Sequence, residues 1–100
     1  MARPRSELNE LLHTFCQNVY FQPPANKKLD YPCIIYNLDK ADVTYADNGI
    51  YLIMNEYSLT YITRDPDDGN IHSILGIRYC SMNRAYPSDN LHHYAYKLFY

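Results

Sequence analysis

The chain has no tryptophan, only three glycines and three cysteines, and no apolar run that approaches the ~18 residues a membrane span requires. Three glycines are too few for a phosphate-cradling loop or a dinucleotide fingerprint, and no nucleophile elbow is present. Cys16, Cys33 and Cys80 are an odd number without a CxxC pair, which argues against a disulfide framework and a zinc site alike. They read as reduced thiols of the core or the strands. Met1-Ala2-Arg3-Pro4-Arg5 does not lead into an apolar signal core, so the cytoplasm is the expected compartment. An excess of positive charge is missing too. A net charge of -2 and a pI near 6.0 remove the general attraction to nucleic acid, so any contact with DNA is expected to be weak or indirect.

What is abundant is tyrosine, with twelve in 100 residues. Its large apolar face and polar tip suit both a sheet core and a surface that must stay soluble until a partner covers it. The length matches a single domain over residues 1–100, and 47% hydrophobic residues make it a globular one. The longest strand-like stretch is Tyr51 to Arg64. Tyr57, Leu59 and Tyr61 fall on one face of it and Glu56, Ser58 and Thr60 on the other, the pattern of a strand half out of water. No Gly or Pro interrupts it, which predicts a central position. Its length of roughly 45 Å exceeds what a small core needs, so one end is expected to project as half of a hairpin arm.

Around this strand the chain reads in order. Ser6 is the expected cap of a first helix whose Leu8, Leu11, Leu12 and Phe15 form one apolar stripe, with His13 off the stripe and solvated. Val19 to Phe21 is a short strand closed by Pro23-Pro24, and Tyr31 to Leu38 is the next, with Pro32 at its start. Asp39 to Gly49 is a strand-forming arm or a loop, and Asp47-Asn48-Gly49 the turn into the long strand. Asp65-Pro66-Asp67-Asp68-Gly69 reads as an acidic turn rather than a calcium loop, because the spacing is short and no bidentate Glu follows. Ile71, Ile74 and Leu75 predict a short helix stopped at Gly76. Ile77 to Tyr86 and His92 to Tyr100 close the chain as two strands around a turn at Pro87-Ser88-Asp89-Asn90, with the apolar end tied into the sheet. The expected fold is α+β: a mainly antiparallel sheet of four to five strands, with the N-terminal helix and a short second helix packed on one face.

Catalytic constellations are hard to find. His92 and His93 are adjacent on a strand and point to opposite faces, one to the surface and one packed, so they do not jointly chelate a metal. Cys16 has His13 within a helical turn, and Cys80 has Asn83 and Arg84 nearby, but neither has an acidic orienting partner. A tyrosine-rich sheet can stack single-stranded bases, yet the acidic balance and the lack of Lys or Arg between those residues disfavour it. The expectation is a protein that is not an enzyme and holds no cofactor or metal.

Several segments resemble the small tail-completion, or tail-terminator, proteins of long-tailed bacteriophages. They are Arg3-Pro4-Arg5-Ser6-Glu7-Leu8 with its helix, Asn18-Val19-Tyr20-Phe21-Gln22-Pro23-Pro24, Tyr31-Pro32-Cys33-Ile34-Ile35-Tyr36, and Ala46-Asp47-Asn48. The Tyr57 to Thr63 strand with Asp65-Pro66-Asp67, and Asp89-Asn90-Leu91-His92-His93, resemble them as well. Arg64 departs from the pattern, which would place an apolar or acidic residue there.

The resemblance implies a virion protein at the head-proximal end of the tail, assembled in the host cytoplasm. Such a protein forms a ring, typically of six copies, on the last ring of the major tail tube protein. It stops tube growth and presents the surface that the connector or neck proteins join, while genomic double-stranded DNA passes through the lumen without sequence-specific binding; no membrane is involved. A mild negative charge suits that channel. Two alternatives are another head–tail connector or neck component and a small nucleic-acid-binding module. Length and tyrosine content point to the arm and the long strand as the subunit contact, through Val43, Tyr45, Tyr51, Ile53, Tyr57, Tyr61 and Arg64.

Overall fold

A computed structural model describes the backbone of residues 4–46 and 49–100 and the side chains of residues 4–39 and 55–100. The chain runs α1 (Arg5–His13), β1 (Asn18–Phe21), β2 (Cys33–Ala46), β3 (Gly49–Thr63), α2 (Asn70–Leu75), β4 (Cys80–Ser88) and β5 (Leu91–Phe99). The strands form one five-stranded sheet in the order β1-β2-β3-β5-β4. All neighbours are antiparallel except β1 and β2. This is the expected α+β fold, and β3 is flanked on both sides as its unbroken β-forming sequence predicted.

The expected projection is present in the backbone. β2 and β3 pair from Cys33↔Ile62 out to Ala46↔Gly49, whereas β5 accompanies β3 only from Glu56 to Thr63. Asp39 to Ala46 therefore continues the strand instead of forming a loop. Beyond Glu56 the two strands have only each other among the described residues, apart from the Tyr100 amide on the Asn55 carbonyl. The molecule is accordingly elongated, 52 × 27 × 22 Å. Of the turn expected at Asp47-Asn48-Gly49, Asp47 and Asn48 lie outside the described residues.

Several boundaries differ from the sequence reading, four of them for a clear local reason. Helix α1 starts two residues ahead of where Ser6 would cap it: Pro4 flanks the helix and its carbonyl accepts the Glu7 amide at 3.1 Å, which leaves Ser6 inside the first turn. Strand β4 begins at Cys80 and not Ile77, because Ile77 and Cys80 amides bond back to Ile74 and Ile77 carbonyls and Tyr79 takes a positive φ of 64°. Pro87 and Ser88 belong to β4, since the outermost strand leaves one side unpaired and a proline there costs the ladder no bond. The turn itself is the two-residue Asp89-Asn90, both at positive φ (52° and 62°), which matches the twist of the hairpin.

Both helices cover one face. Register places Ile34, Tyr36 and Leu38 of β2 beside Tyr61, Leu59 and Tyr57 of β3, and those beside Tyr94, Tyr96 and Leu98 of β5. Leu8 and Leu12 of α1 and Ile71 and Ile74 of α2 close over this surface, with Leu11 and Phe15 partly buried at its margin. Four core positions are tyrosines: Tyr36, Tyr57, Tyr61 and Tyr96. Burying such a ring gains the apolar contribution only if its hydroxyl finds a partner. Tyr36 donates to Asn9 Oδ1 of α1 (2.8 Å) and Tyr96 to the Ile71 carbonyl of α2 (2.8 Å). Tyr61 donates to the Asp68 carboxylate, which also accepts the Thr63 hydroxyl and the Asn70 amide.

Burial pushes the Tyr61 hydroxyl up to about 12, and the Asp68 carboxylate beside it adds to the rise, so Tyr61 remains a donor. For Asp68 burial acts in the raising direction, but the bonds from Tyr61, the Asn70 amide and Thr63 outweigh it and lower the pKa. Because the folded value lies below the unfolded one, this contribution is complete above the unfolded pKa and is lost as pH falls through the folded pKa. Tyr61→Phe is expected to reduce the unfolding free energy by about 1–2 kcal/mol at neutral pH. In denaturant titrations the gap between wild type and variant narrows as pH falls below the ordinary Asp value of about 3.9; a gap that stays constant contradicts the assignment.

Candidate functional site

The three thiols are free. Cys16 follows α1, is buried, and points its Sγ at the Pro32 carbonyl (3.2 Å) and the Asn18 carbonyl (3.5 Å). Burial raises its pKa. Cys33, fully buried on β2, is pushed up to about 12 by burial, with Cys16 and Asp30 adding to it, and Cys80 to about 11 by burial. A thiol held protonated in this way is a poor nucleophile. Native titration with an aromatic disulfide reagent at mildly alkaline pH is expected to leave Cys16 and Cys33 unmodified and to label Cys80 slowly, with all three reacting after denaturation. Rapid native labelling of Cys16 would contradict this placement.

The two histidines of β5 part company across the strand. His93 stacks on Tyr86 of β4 (centroids 5.0 Å, planes 10° apart), and the Arg84 guanidinium lies 4.6 Å from the same Tyr86 ring. His92 pairs with Pro87 on the opposite side of the hairpin. Both are half-buried, where one exposed and one packed ring were expected. A shallow depression of about 240 Å³ runs along the hairpin here, lined by Ala85, Tyr86, Pro87, His92, His93 and Tyr94. Its acceptors and donors come from rings and main chain, with no carboxylate among them. Among the described residues no three His, Cys, Asp or Glu side chains stand together where they would hold a metal ion.

The face away from the helices carries Ser58 and Thr60, half-buried as expected for a strand half out of water. Glu56 departs from that pattern at 5% exposed, its carboxylate 3.0 Å from Lys97 Nζ of β5. The hydrogen bond to Glu56 and its charge raise the Lys97 pKa, which keeps the lysine protonated. The pair stands at the level where β5 ends and the arm begins, since Glu56 registers with Phe99 on one side and Lys40 on the other.

The residues expected at a subunit contact divide into three groups. Val43, Tyr45, Tyr51 and Ile53 belong to the arm, where Val43 registers with Ile53, and their side chains lie outside the described residues. Tyr57 and Tyr61 are 2% and 0% exposed beneath the helices. Their rings are part of the chain's own core, so a contact that leaves the fold intact does not reach them. Arg64 is exposed just past the end of β3. Among the described residues three other side chains stand out: Leu38, Tyr79 and Met82 are large, apolar and 43%, 56% and 36% exposed. Sequence alone had no signal for them, because their exposure depends on where neighbouring strands stop.

No family model, no curated protein and no solved structure matches this chain. No helix among the described residues is long and apolar enough to cross a membrane.

Proposed function

We propose that the chain is a structural protein of a bacteriophage virion that assembles as a closed ring, six copies by family resemblance. On this reading the ring caps the tail tube, ends its growth and offers the joining surface for the head connector. The observation that carries the reading is the arm. Residues 41–46 and 49–55 form a two-stranded ribbon beyond the five-stranded body. An isolated ribbon of this kind is marginal in water, so it gains stability by lying against something else. In a small subunit that must present two different complementary surfaces to its neighbours, an arm of this length is a natural second surface.

Other features are in keeping with the reading. Several reactive side chains serve the fold: two thiols are buried, Asp68 serves the turn before α2, and Glu56 is paired. The resemblance in the segments around Asn18–Pro24, Tyr31–Tyr36 and Asp89–His93 runs through three of the five strands. Another neck or connector component would share this architecture and differ in its place along the tail. A nucleic-acid-binding module is the weaker alternative, since the net charge of -2 gives no general attraction to phosphate.

Replacing residues 41–54 by a short Asn-Gly turn tests the reading. The shortened chain is expected to keep its far-ultraviolet circular dichroism per residue and its core, and to sediment as a monomer where the full chain sediments as a ring. A full chain that remains a monomer at millimolar concentration, or a shortened chain that still forms the ring, contradicts it.

A further inference from the structure

Four strands contribute one row of side chains on the helix-covered face: Leu38 of β2, Tyr57 of β3, Leu98 of β5 and Cys80 of β4, each in register with the next. The inner members are sealed, with Tyr57 at 2% and Leu98 at 0%. The ends are not. Leu38 is open because β1 stops at Phe21, which registers with Tyr36 and so covers the flank of β2 only up to the preceding row. At the other end Tyr79 and Met82 stand out on either side of Cys80. An apolar row whose middle is dry and whose two ends face water is incomplete in the single chain.

The two ends also differ in charge. Asp39 follows Leu38 and is exposed, within electrostatic range of Lys97 on β5, whereas Tyr79 and Met82 are flanked by the exposed Arg78 and Arg84. Each guanidinium lies over a neighbouring ring, Arg78 at 4.9 Å from Tyr79 and Arg84 at 4.6 Å from Tyr86, without a carboxylate partner among the described residues. Neither edge is suited to adding a strand. The Leu38 amide already donates to Gln22 Oε1 (3.2 Å), and β4 carries a register shift at Met82/Arg84, the charged Arg84 and Pro87, the features that block edge pairing. What remains available at both flanks is side-chain packing.

We infer that these two flanks are the complementary halves of one head-to-tail contact between copies of this chain. Tyr79 and Met82 of one copy cover Leu38 of the next, in the place where β1 falls short, and Arg78 and Arg84 face Asp39. The contact is heterologous, so repeated around an axis it closes a ring or runs on as a filament. The apolar residues supply the affinity and the charges set the orientation. This inference rests on the assembly reading above and adds to the arm a second contact that the same ring would use.

The test uses two variants of the full chain, Leu38→Asp and Met82→Asp, with circular dichroism to confirm folding and sedimentation velocity to read assembly. Each variant alone loses one half of the contact and is expected to be monomeric. An equimolar mixture is expected to form a dimer and nothing larger, because each copy still owns the half its partner lacks. If either variant fails to fold, Leu38→Ala and Met82→Ala replace them, and each is expected to weaken association by about tenfold or more. Variants that assemble like the wild type, or a mixture that stays monomeric, overturn the inference and leave the ring reading standing. A wild-type chain that never associates overturns both.

Discussion

Hydroxyl groups of three core tyrosines hold the helical layer on the sheet. Tyr36, Tyr61 and Tyr96 lie on three neighbouring strands, and each sends its oxygen up to a different point of that layer: Asn9 in α1, Asp68 before α2, and the Ile71 carbonyl within α2. The rings supply apolar burial and the hydroxyls supply direction, so the same residues that fill the core also position what covers it. Asn70 extends the arrangement by donating to the Phe15 carbonyl just past α1, which ties the two helices to each other. A phenylalanine core of equal volume would bury the same surface without fixing where a six-residue helix rests.

Much of this architecture was legible in the chain. The apolar stripe of Leu8, Leu11, Leu12 and Phe15 located α1, the gap-free run after Gly49 located the central strand, and its excess length announced the arm. What was not legible depended on partners distant in sequence. The continuation of β2 through Asp39 to Ala46 is imposed by pairing with β3, not by the mixed polar sequence itself. Pro87 reads as a breaker until the strand is known to lie at an edge. Twelve tyrosines announced either core or contact surface, but only the fold separates Tyr57 and Tyr61, which are sealed inside, from Tyr79, which is exposed. The exposed Leu38 follows from a strand that ends one row early, a fact with no counterpart in local pattern.

The functional reading and the fold meet at the distribution of unfinished surface. One face of the sheet is closed by helices. Among the described residues, the ribbon beyond Glu56 and the two ends of the Leu38–Cys80 row are open places at the periphery. A subunit with a closed core and open margins fits the proposed contact with copies of itself. The mild negative charge is compatible with a lumen that DNA crosses without being held.

The central claim, that this chain acts by closing a ring at the end of a tail tube, is tested most directly by electron microscopy of the intact particle with the chain's density located. The account requires a single closed layer of copies between tube and head, with neighbouring subunits touching through their margins. Copies that stand apart from one another, or a position away from that junction, would contradict it.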